Sequence, residues 1–353
     1  MGDGLFLTDI LATPAALRDT MDALGDRPRE VAAALLRGGV RRFVALGNGS
    51  SWYASAASIY LHDALARPES TLAWAAPTGD YALYRAPLGP ADALVGVSAS
   101  GEIVDLLDLF AAERGRHQLV GITNVGDSSL TKLVDHLLLM QAGPSLVPTA
   151  TKTFTTSVLA LHLLWLGLLA EQGIPTGEGL KQELAAIPEM AARATAEARQ
   201  QAEGLAERVA ACSRLFVFGS GPAYPLAQEA ALVFKEVASL PAEGIQTREM
   251  SHGVTAVVDN TVGVIAVNPP GRGEAVARQV LAECAKLGAL TVNVGAAPAE
   301  MPVSVPCPEL LSPLVYGAPV FVLANAVAAR RGVNTDRPAW YEGYVRASRR
   351  QGQ

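Results

Sequence analysis

The sequence has few of the residues that mark fibrous, disulfide-rich or disordered chains. Of its 353 residues only 3 are cysteine, 6% are aromatic and 18% are charged. Cys212, Cys284 and Cys307 are far apart, odd in number and without CxxC spacing. This pattern excludes a disulfide framework and a zinc knuckle, so we expect a cytoplasmic protein with reduced cysteines.

An excess of charge of one sign is also missing. The formal net charge is -6, and acidic and basic residues are spread evenly. No basic stripe is available to neutralise the phosphates of a nucleic acid. The first four residues lack the basic and apolar regions of a secretory signal. We therefore expect no nucleic-acid partner.

Long hydrophobic runs are absent as well. The longest, residues 158–170, is too short for a membrane span of about 20 residues and contains His162. It predicts a buried helix, and we expect no membrane partner.

Hydrophobic residues make up 50% of the chain, and a length of 353 suggests two domains of about 150 residues each. Residues 42–49 and 214–221 repeat one phrase: a basic residue, four apolar residues, then Gly-x-Gly. Small and apolar residues recur at helical spacing after each phrase. Each half is therefore predicted to open with a strand, a tight turn and a helix.

Further apolar runs predict strands at residues 93–97, 119–122, 136–140, 262–267 and 290–294. Helical patterns separate them at residues 103–112, 155–169, 275–287 and 319–329. Alternating strands and helices, with strands apolar on both faces, predict an α/β fold of two sandwiches, each with a parallel sheet between helices.

The predicted organisation has five parts. Residues 1–30 are expected to form an N-terminal helical segment, and residues 31–172 the first domain. A linker and a long helix or helix pair occupy residues 173–212. The second domain covers residues 213–335, and residues 336–353 form a C-terminal tail near the active site.

Two hydroxyl-rich loops follow predicted strands: Gly47-Asn48-Gly49-Ser50-Ser51 and Ser98-Ala99-Ser100-Gly101-Glu102. Ligands of open parallel sheets bind beyond the carboxyl ends of the strands. Serine hydroxyls and free backbone amides at a helix N-terminus suit a phosphate, although each loop alone could equally be a helix cap. The third glycine of a dinucleotide-binding turn is missing and no P-loop is present, so a nucleotide is disfavoured.

The second half contributes acids and a histidine. Glu229 and Glu236 lie seven residues apart and thus on one face of a helix, and His252 stands between Ser251 and Gly253. A carboxylate with an imidazole suits proton transfer beside a carbonyl or opening of a sugar ring. The alternative is that the glutamates form a solvated face and His252 is a cap. The other histidines are expected to be structural, and no metal signature is present: His62, His117, His136 and His162.

Taken together and in their order along the chain, the sequence motifs resemble those of tandem sugar-isomerase (SIS) proteins. These are the isomerase portion of glutamine:fructose-6-phosphate amidotransferase and the aminosugar-phosphate deaminases. The similarity runs through nearly the whole chain. It is carried by residues 9–18, 49–53, 98–102, 151–156, 219–232, 235–236, 242–243, 252–253 and 336–338.

The resemblance implies two SIS-type three-layer α/β sandwiches, in a homodimer with a shared active site that binds a sugar 6-phosphate without a cofactor. Glu236 would move a proton between C1 and C2, and His252, reaching the neighbouring subunit's site, would open the ring. Backbone amides would help hold the phosphate. The implied substrate-binding residues are Ser50, Ser51, Ser98, Ala99, Ser100 and Thr151.

Several departures from the family matter. No glutaminase domain precedes the first motif, so we expect no use of glutamine. The family's tail lysine should follow Asp336-Arg337-Pro338, but no lysine follows Lys286. An arginine does not form a Schiff base, so imine capture of a ketose should be lost. The sequence leaves open whether the tail's role passes to Tyr341, Tyr344, Arg346 or Arg349.

The preferred hypothesis is a phosphosugar isomerase or deaminase acting on a 2-amino or N-substituted hexose 6-phosphate. The alternative is a non-catalytic sugar-phosphate-binding or regulatory protein, and an unrelated isomerisation of an unphosphorylated or sulfonated sugar stays open. The non-catalytic alternative is favoured by four positions at which this sequence departs from the family: Ala99, Ile103, Val233 and Gly343. The sequence does not define the sugar, the leaving amine or the direction of reaction.

Overall fold

A computed structural model describes residues 4–348. Residues 1–3 of the predicted N-terminal segment and residues 349–353 of the predicted tail, Arg349 among them, lie outside the described residues. The chain forms two compact units. The first unit comprises residues 15–143, 153–182 and 340–348, and the second unit comprises residues 4–14, 144–152 and 183–339. The domain bounds given above stay a prediction.

The helices, in chain order, are α1 (Leu5–Leu11), α2 (Thr13–Leu24), α3 (Arg27–Arg37), α4 (Ser50–Leu65), α5 (Thr78–Tyr84), α6 (Val104–Glu113), α7 (Lys152–Glu171), α8 (Glu178–Ala210), α9 (Ala223–Ala238), α10 (Glu274–Lys286), α11 (Pro313–Arg330) and α12 (Tyr341–Ser348). The strands are β1 (Arg42–Gly47), β2 (Leu72–Pro77), β3 (Asp92–Val97), β4 (Gln118–Thr123), β5 (His136–Leu139), β6 (Arg214–Gly219), β7 (Ala242–Gln246), β8 (Val262–Asn268), β9 (Leu290–Gly295) and β10 (Met301–Pro302).

The first unit is built on a parallel sheet with strand order β2-β1-β3-β4-β5. Successive residues of β1 face opposite sides of this sheet. Phe43 packs in one core with Trp165 of α7, whereas Val44 packs in the other core with Phe110 of α6. Both faces are therefore buried under helices, which explains why these strands are apolar throughout.

The second unit is also built on a five-stranded sheet. Its strands are also parallel, in the order β7-β6-β8-β9-β10. One face of the sheet packs against α10, and α9 lies on β6 and β7 with α11 packed against it. The predicted fold class, two α/β sandwiches with a parallel sheet in each, is confirmed.

The strands and helices predicted from apolar periodicity are present, mostly within a residue or two of the expected bounds. The stretch from residue 181 to 212, left open above as one helix or two, lies largely in the single helix α8 with Pro188 inside it. Strands β2, β7 and β10 are not among the strands predicted above.

Two described helices, α7 and α11, are long and apolar enough to cross a membrane. In each, 83% of the apolar window is buried inside the protein. Such burial is typical of core helices, as predicted for residues 158–170.

The first helix belongs to the second unit. Phe6 and Ile10 of α1 are fully buried, and α1 packs against α11. The backbone amide of Phe6 donates a hydrogen bond to Asp336 Oδ1 at 3.1 Å. The carboxylate of Asp336 thereby satisfies an amide of the first turn that has no partner within the helix. This contact fixes α1 within the unit that contains Glu236.

Candidate active site

The loop between β1 and α4 makes a tight turn. A side chain at Gly47 would lie 2.5 Å from the backbone carbon of Ser51, and Gly49 has a φ of 53°. Both positions therefore favour glycine. The turn places Ser50 and Ser51 in the first turn of α4, where they are half-buried. Their hydroxyls and the free amides of a helix N-terminus can together bind an anion.

The loop between β3 and α6 is held in shape by its own serines. Ser98 Oγ accepts a hydrogen bond from the Gly101 amide at 3.0 Å, and Ser100 Oγ accepts one from the Glu102 amide at 3.3 Å. Gly101 has a φ of 68°, and a side chain there would lie 2.5 Å from Ser128 Cβ. Ser98 is buried, whereas Ala99 and Ser100 are half-buried. The capping role and an anion-binding role are compatible, because each hydroxyl still has its hydrogen to donate.

These two loops lie at the same edge of the first sheet. Strands β1 and β3 are parallel neighbours, and Leu46 pairs with Gly96 near their carboxyl ends. Asn48 Nδ2 donates a hydrogen bond to Asp105 Oδ2 at 3.1 Å, which links the first loop to the start of α6. The structure thus brings five of the predicted substrate-binding residues to one sheet edge: Ser50, Ser51, Ser98, Ala99 and Ser100.

The second unit contains the candidate proton-transfer group. Glu236 lies in the last turns of α9, where Val233, Phe234 and Val237 are buried and Glu236 itself is half-buried. Burial raises the pKa of Glu236 to about 7, while the Thr149 hydroxyl and the Lys235 ammonium act in the opposite direction. A carboxyl group with a pKa near neutrality can serve as both base and acid in one catalytic cycle.

Glu229 lies on the same helix and is completely buried. The alternative in which both glutamates form a solvated face is therefore wrong. His252 is exposed at the end of a short 3-10 turn, and its backbone amide donates to the Glu249 carbonyl at 3.0 Å. Its role in ring opening stays a prediction.

Two other histidines are core residues. His62 and His162 are buried, and burial lowers the pKa of His162 to about 3, so that its ring is neutral. Their burial agrees with the structural role predicted for these two, which stays a prediction.

Thr149 is a neighbour of Glu236 that sequence reasoning missed. It is only 2% exposed, and its hydroxyl acts on the Glu236 carboxyl. Within the described residues, Thr149 Oγ1 makes no hydrogen bond of standard geometry. Nothing in the motif around residue 151 indicated that the threonine two positions earlier would lower the pKa of Glu236.

A buried carboxylate organises the segment that contains Thr149. Asp9 Oδ1 lies 2.6 Å from Lys152 Nζ, and Asp9 Oδ2 accepts a hydrogen bond from Thr151 Oγ1 at 2.5 Å. Lys152 Nζ also donates to the Pro144 carbonyl at 2.8 Å. The Thr151 hydroxyl hydrogen is therefore used within the protein, and the role of Thr151 in binding substrate stays a prediction.

Comparisons with known proteins agree with this architecture. Residues 209–297 match the SIS domain family. This chain therefore contains a SIS domain. It is also 33% identical to a glutamine–fructose-6-phosphate aminotransferase (isomerizing) from Gloeobacter violaceus, over 94% of this chain and 57% of that protein. The chain thus spans little more than half the length of this relative. The resemblance drawn from the sequence motifs is confirmed.

Solved structures show the same fold. The C-terminal domain of glucosamine-fructose-6-phosphate aminotransferase from Francisella tularensis has a TM-score of 0.84 and 21% identity, covering 96% of this chain and 99% of that one. Glucosamine-6-phosphate deaminase from Thermotoga maritima has a TM-score of 0.76 and 20% identity, covering 95% and 98%. At these identities the likeness defines the fold of this chain and not its substrate.

Proposed function

We propose that this SIS protein is a phosphosugar isomerase or deaminase that acts on a 2-amino or N-substituted hexose 6-phosphate. The observation that carries the proposal is Glu236, a half-buried carboxyl group whose pKa of about 7 suits reversible proton transfer at neutral pH. Similarity to a glutamine–fructose-6-phosphate aminotransferase over 94% of this chain supports the substrate class.

In the proposed reaction, the serine loops of the first unit bind the 6-phosphate. The hydroxyls of Ser50, Ser51, Ser98 and Ser100 act with the amides at the starts of α4 and α6. Such charge-assisted hydrogen bonds hold the sugar without taking part in the chemistry, which is how positioning lowers the barrier.

Proton transfer is assigned to Glu236. As a carboxylate it removes the C2 proton of the open-chain aminoaldose; the electron pair forms the C1–C2 double bond of an enolamine, and the C1 oxygen takes up a proton from water. The protonated carboxyl then returns its proton to C1, and the nitrogen releases a proton to water, which leaves an imine at C2 and a hydroxyl at C1. Water adds to this imine and ammonia, or the substituted amine, leaves with formation of the ketose 6-phosphate. Glu236 ends each cycle as a carboxylate.

His252 is proposed to open the sugar ring by moving a proton between the ring oxygen and the C1 hydroxyl. Its exposed position suits a residue that acts in the site of a second subunit, as the family resemblance implies. The proposed active form is accordingly a homodimer.

The direct test is to incubate purified protein with glucosamine 6-phosphate and N-substituted relatives, and with fructose 6-phosphate plus ammonia or glutamine. Ammonia, ketose and aldose are followed together. Glu236→Gln should abolish turnover while binding of the sugar phosphate persists. Glu283→Gln on α10, an exposed acid paired with Lys286, is the matched control and should keep full activity. No turnover across the whole panel would sink the proposal.

A sugar-phosphate-binding protein without catalysis is the second candidate. Two residues of the phosphate loop, Ala99 and Ile103, lack the polar groups of the family, and Val233 on α9 is an apolar residue only 1% exposed. Thermal stabilisation by a hexose 6-phosphate without any turnover would select this candidate, because a ligand that binds only the folded state raises apparent stability.

A further inference from the structure

We propose that Gln246 is a positioning residue for His252, because its side chain holds the start of the turn that carries this histidine. The inference rests on the proposed function, in which His252 opens the sugar ring. Gln246 is the last residue of β7, and the 3-10 turn Glu249–Ser251 leads directly to His252. All of these residues belong to the second unit.

The imidazole of His252 depends on its own backbone for its position. The residue is exposed, and within residues 4–348 its ring makes no hydrogen bond. Its backbone amide donates to the Glu249 carbonyl at 3.0 Å, and this bond closes the turn. Gly253 follows at a φ of 107°, and a side chain there would meet nothing within 4 Å. The direction in which His252 projects is therefore set by the turn that precedes it.

Gln246 satisfies the amides at the start of that turn. Its Oε1 atom accepts a hydrogen bond from the Arg248 amide at 2.7 Å and another from the Glu249 amide at 3.3 Å. Bonds within the turn begin with the Ser251 amide, which donates to the Arg248 carbonyl at 3.0 Å. The two earlier amides have no partner inside the turn, and one amide oxygen has the two lone pairs to accept from both. Gln246 thus acts on this turn as a capping side chain acts on a helix.

The residue between Gln246 and the turn is fixed to the sheet. The Thr247 amide donates to the Gly219 carbonyl at 3.0 Å, and the hydroxyls of Ser220 and Thr247 are hydrogen-bonded at 2.7 Å. Thr247 is completely buried. The base of the turn is therefore held in place, and the Gln246 side chain holds the next two amides against this base.

The segment is anchored on both sides of the histidine. Met250 is fully buried in the core beneath α10. Beyond His252, the Arg214 Nη2 atom donates to the Val257 carbonyl at 2.9 Å. Gln246 is only half-buried and lies outside that core, so its side chain can be changed without leaving a cavity.

The structural part of the test is backbone hydrogen exchange of residues 248–252, measured by mass spectrometry. Gln246→Met keeps an unbranched side chain of similar length and removes the acceptor, whereas Gln246→Glu keeps an acceptor oxygen. We expect exchange to become about tenfold faster in Gln246→Met and to stay at the wild-type rate in Gln246→Glu. Unchanged exchange in Gln246→Met would overturn the positioning role.

The matched control is Gln118→Met in the first unit. It removes an oxygen that lies 3.2 Å from His136 Nε2, at an exposed position at the start of β4. This variant loses the same kind of contact and should match the wild type in both parts of the test.

The functional part measures ring opening itself. The anomers of glucosamine 6-phosphate interconvert when the C1–ring oxygen bond breaks, the C1 hydroxyl proton passes to the ring oxygen, and the ring closes again. The C2 proton stays in place, so NMR exchange can follow this step in the Glu236→Gln background without consumption of the sugar. His252→Gln should remove the acceleration by the protein. Gln246→Met should reduce it by about tenfold at unchanged affinity for the sugar phosphate, and Gln246→Glu should restore it.

The two measurements separate the two proposals. If the Glu236→Gln protein accelerates no anomer exchange, the ring-opening role of His252 falls, and faster hydrogen exchange in Gln246→Met still establishes that Gln246 fixes the turn. If His252→Gln abolishes the acceleration but Gln246→Met retains it in full, the positioning role is overturned and the ring-opening role stands.

Discussion

Asp9 Oδ1 and Lys152 Nζ lie 2.6 Å apart, although one residue is in the first helix and the other begins α7. Asp9 is 1% exposed and also accepts the Thr151 hydroxyl, so its negative charge is matched entirely inside the protein. The pair connects two distant parts of the sequence within the second unit.

Removing this charge should destabilise the protein. Asp9→Asn removes the negative charge that lies 2.6 Å from the buried Lys152 ammonium, which costs about 3–5 kcal/mol of unfolding free energy. Asp19→Asn changes an exposed acid of α2 in the same way and should change stability little. Urea denaturation of both variants measures the difference, and equal midpoints for the two would contradict the structural role given to the pair.

The burial of Glu236 predicts a stability that falls as pH rises. Its pKa is about 7 in the folded protein and about 4.5 in an unfolded chain, so the folded state binds the proton more tightly. The contribution of Glu236 to stability is fully present below pH 4.5 and is lost as pH passes 7. Above that pH the buried carboxylate costs up to about 3 kcal/mol.

Glu236→Gln should therefore stabilise the protein at pH 8 and have little effect at pH 4.5. Thermal unfolding at the two pH values measures this, with Glu283→Gln as the exposed control. A Glu236→Gln variant that is no more stable than the wild type at pH 8 would show that the carboxylate is well solvated.

Much of the fold was predictable because local sequence and tertiary packing agree. The repeated phrase of residues 42–49 and 214–221 forms β1 and β6 with the turns that follow them. Strand β7 escaped prediction for a physical reason. Its Gly244 lies against the backbone of Gln228, where a side chain would collide with the Gln228 Cα atom. The strand therefore forms through close packing against α9, and the β propensity of its own residues does not indicate this contact.

The candidate site was predictable to a similar degree. Glu236 and the serine loops lie in short motifs that can be recognised in the amino-acid sequence alone. Thr149 lies in no such motif, and its hydroxyl lowers the pKa of Glu236 only once the chain has folded. Contacts between residues so distant in sequence become visible only in the folded unit.

The turn after β3 should be sensitive to a single methyl group. Gly101→Ala introduces a Cβ atom against Ser128 at a positive φ of 68°, whereas Gly115→Ala introduces one at a φ of 74° with nothing within 4 Å. The first variant carries the backbone strain and the collision, and the second carries the strain alone.

We expect Gly101→Ala to lose about 1–3 kcal/mol more stability than Gly115→Ala, and to bind hexose 6-phosphate more weakly, because the collision displaces the serine loop. Denaturation and calorimetric titration of both variants provide the comparison. Equal losses of stability in the two variants would mean that the Ser128 side chain moves aside without disturbing the serine loop.

The first serine loop can be tested through the phosphate itself. Ser51 is half-buried in the first turn of α4, and its hydroxyl is proposed to donate to the 6-phosphate. Ser51→Ala should weaken binding of glucose 6-phosphate by about 10- to 100-fold, the usual effect of losing a hydrogen bond to a charged group.

Ser70→Ala is the control for this prediction. It removes a hydroxyl that accepts a hydrogen bond from the Arg67 amide outside both loops, and it should leave the affinity unchanged. Isothermal titration with glucose 6-phosphate and with glucose separates the phosphate contact from sugar contacts. A Ser51→Ala variant that retains full affinity for the phosphorylated sugar would exclude Ser51 from the phosphate site.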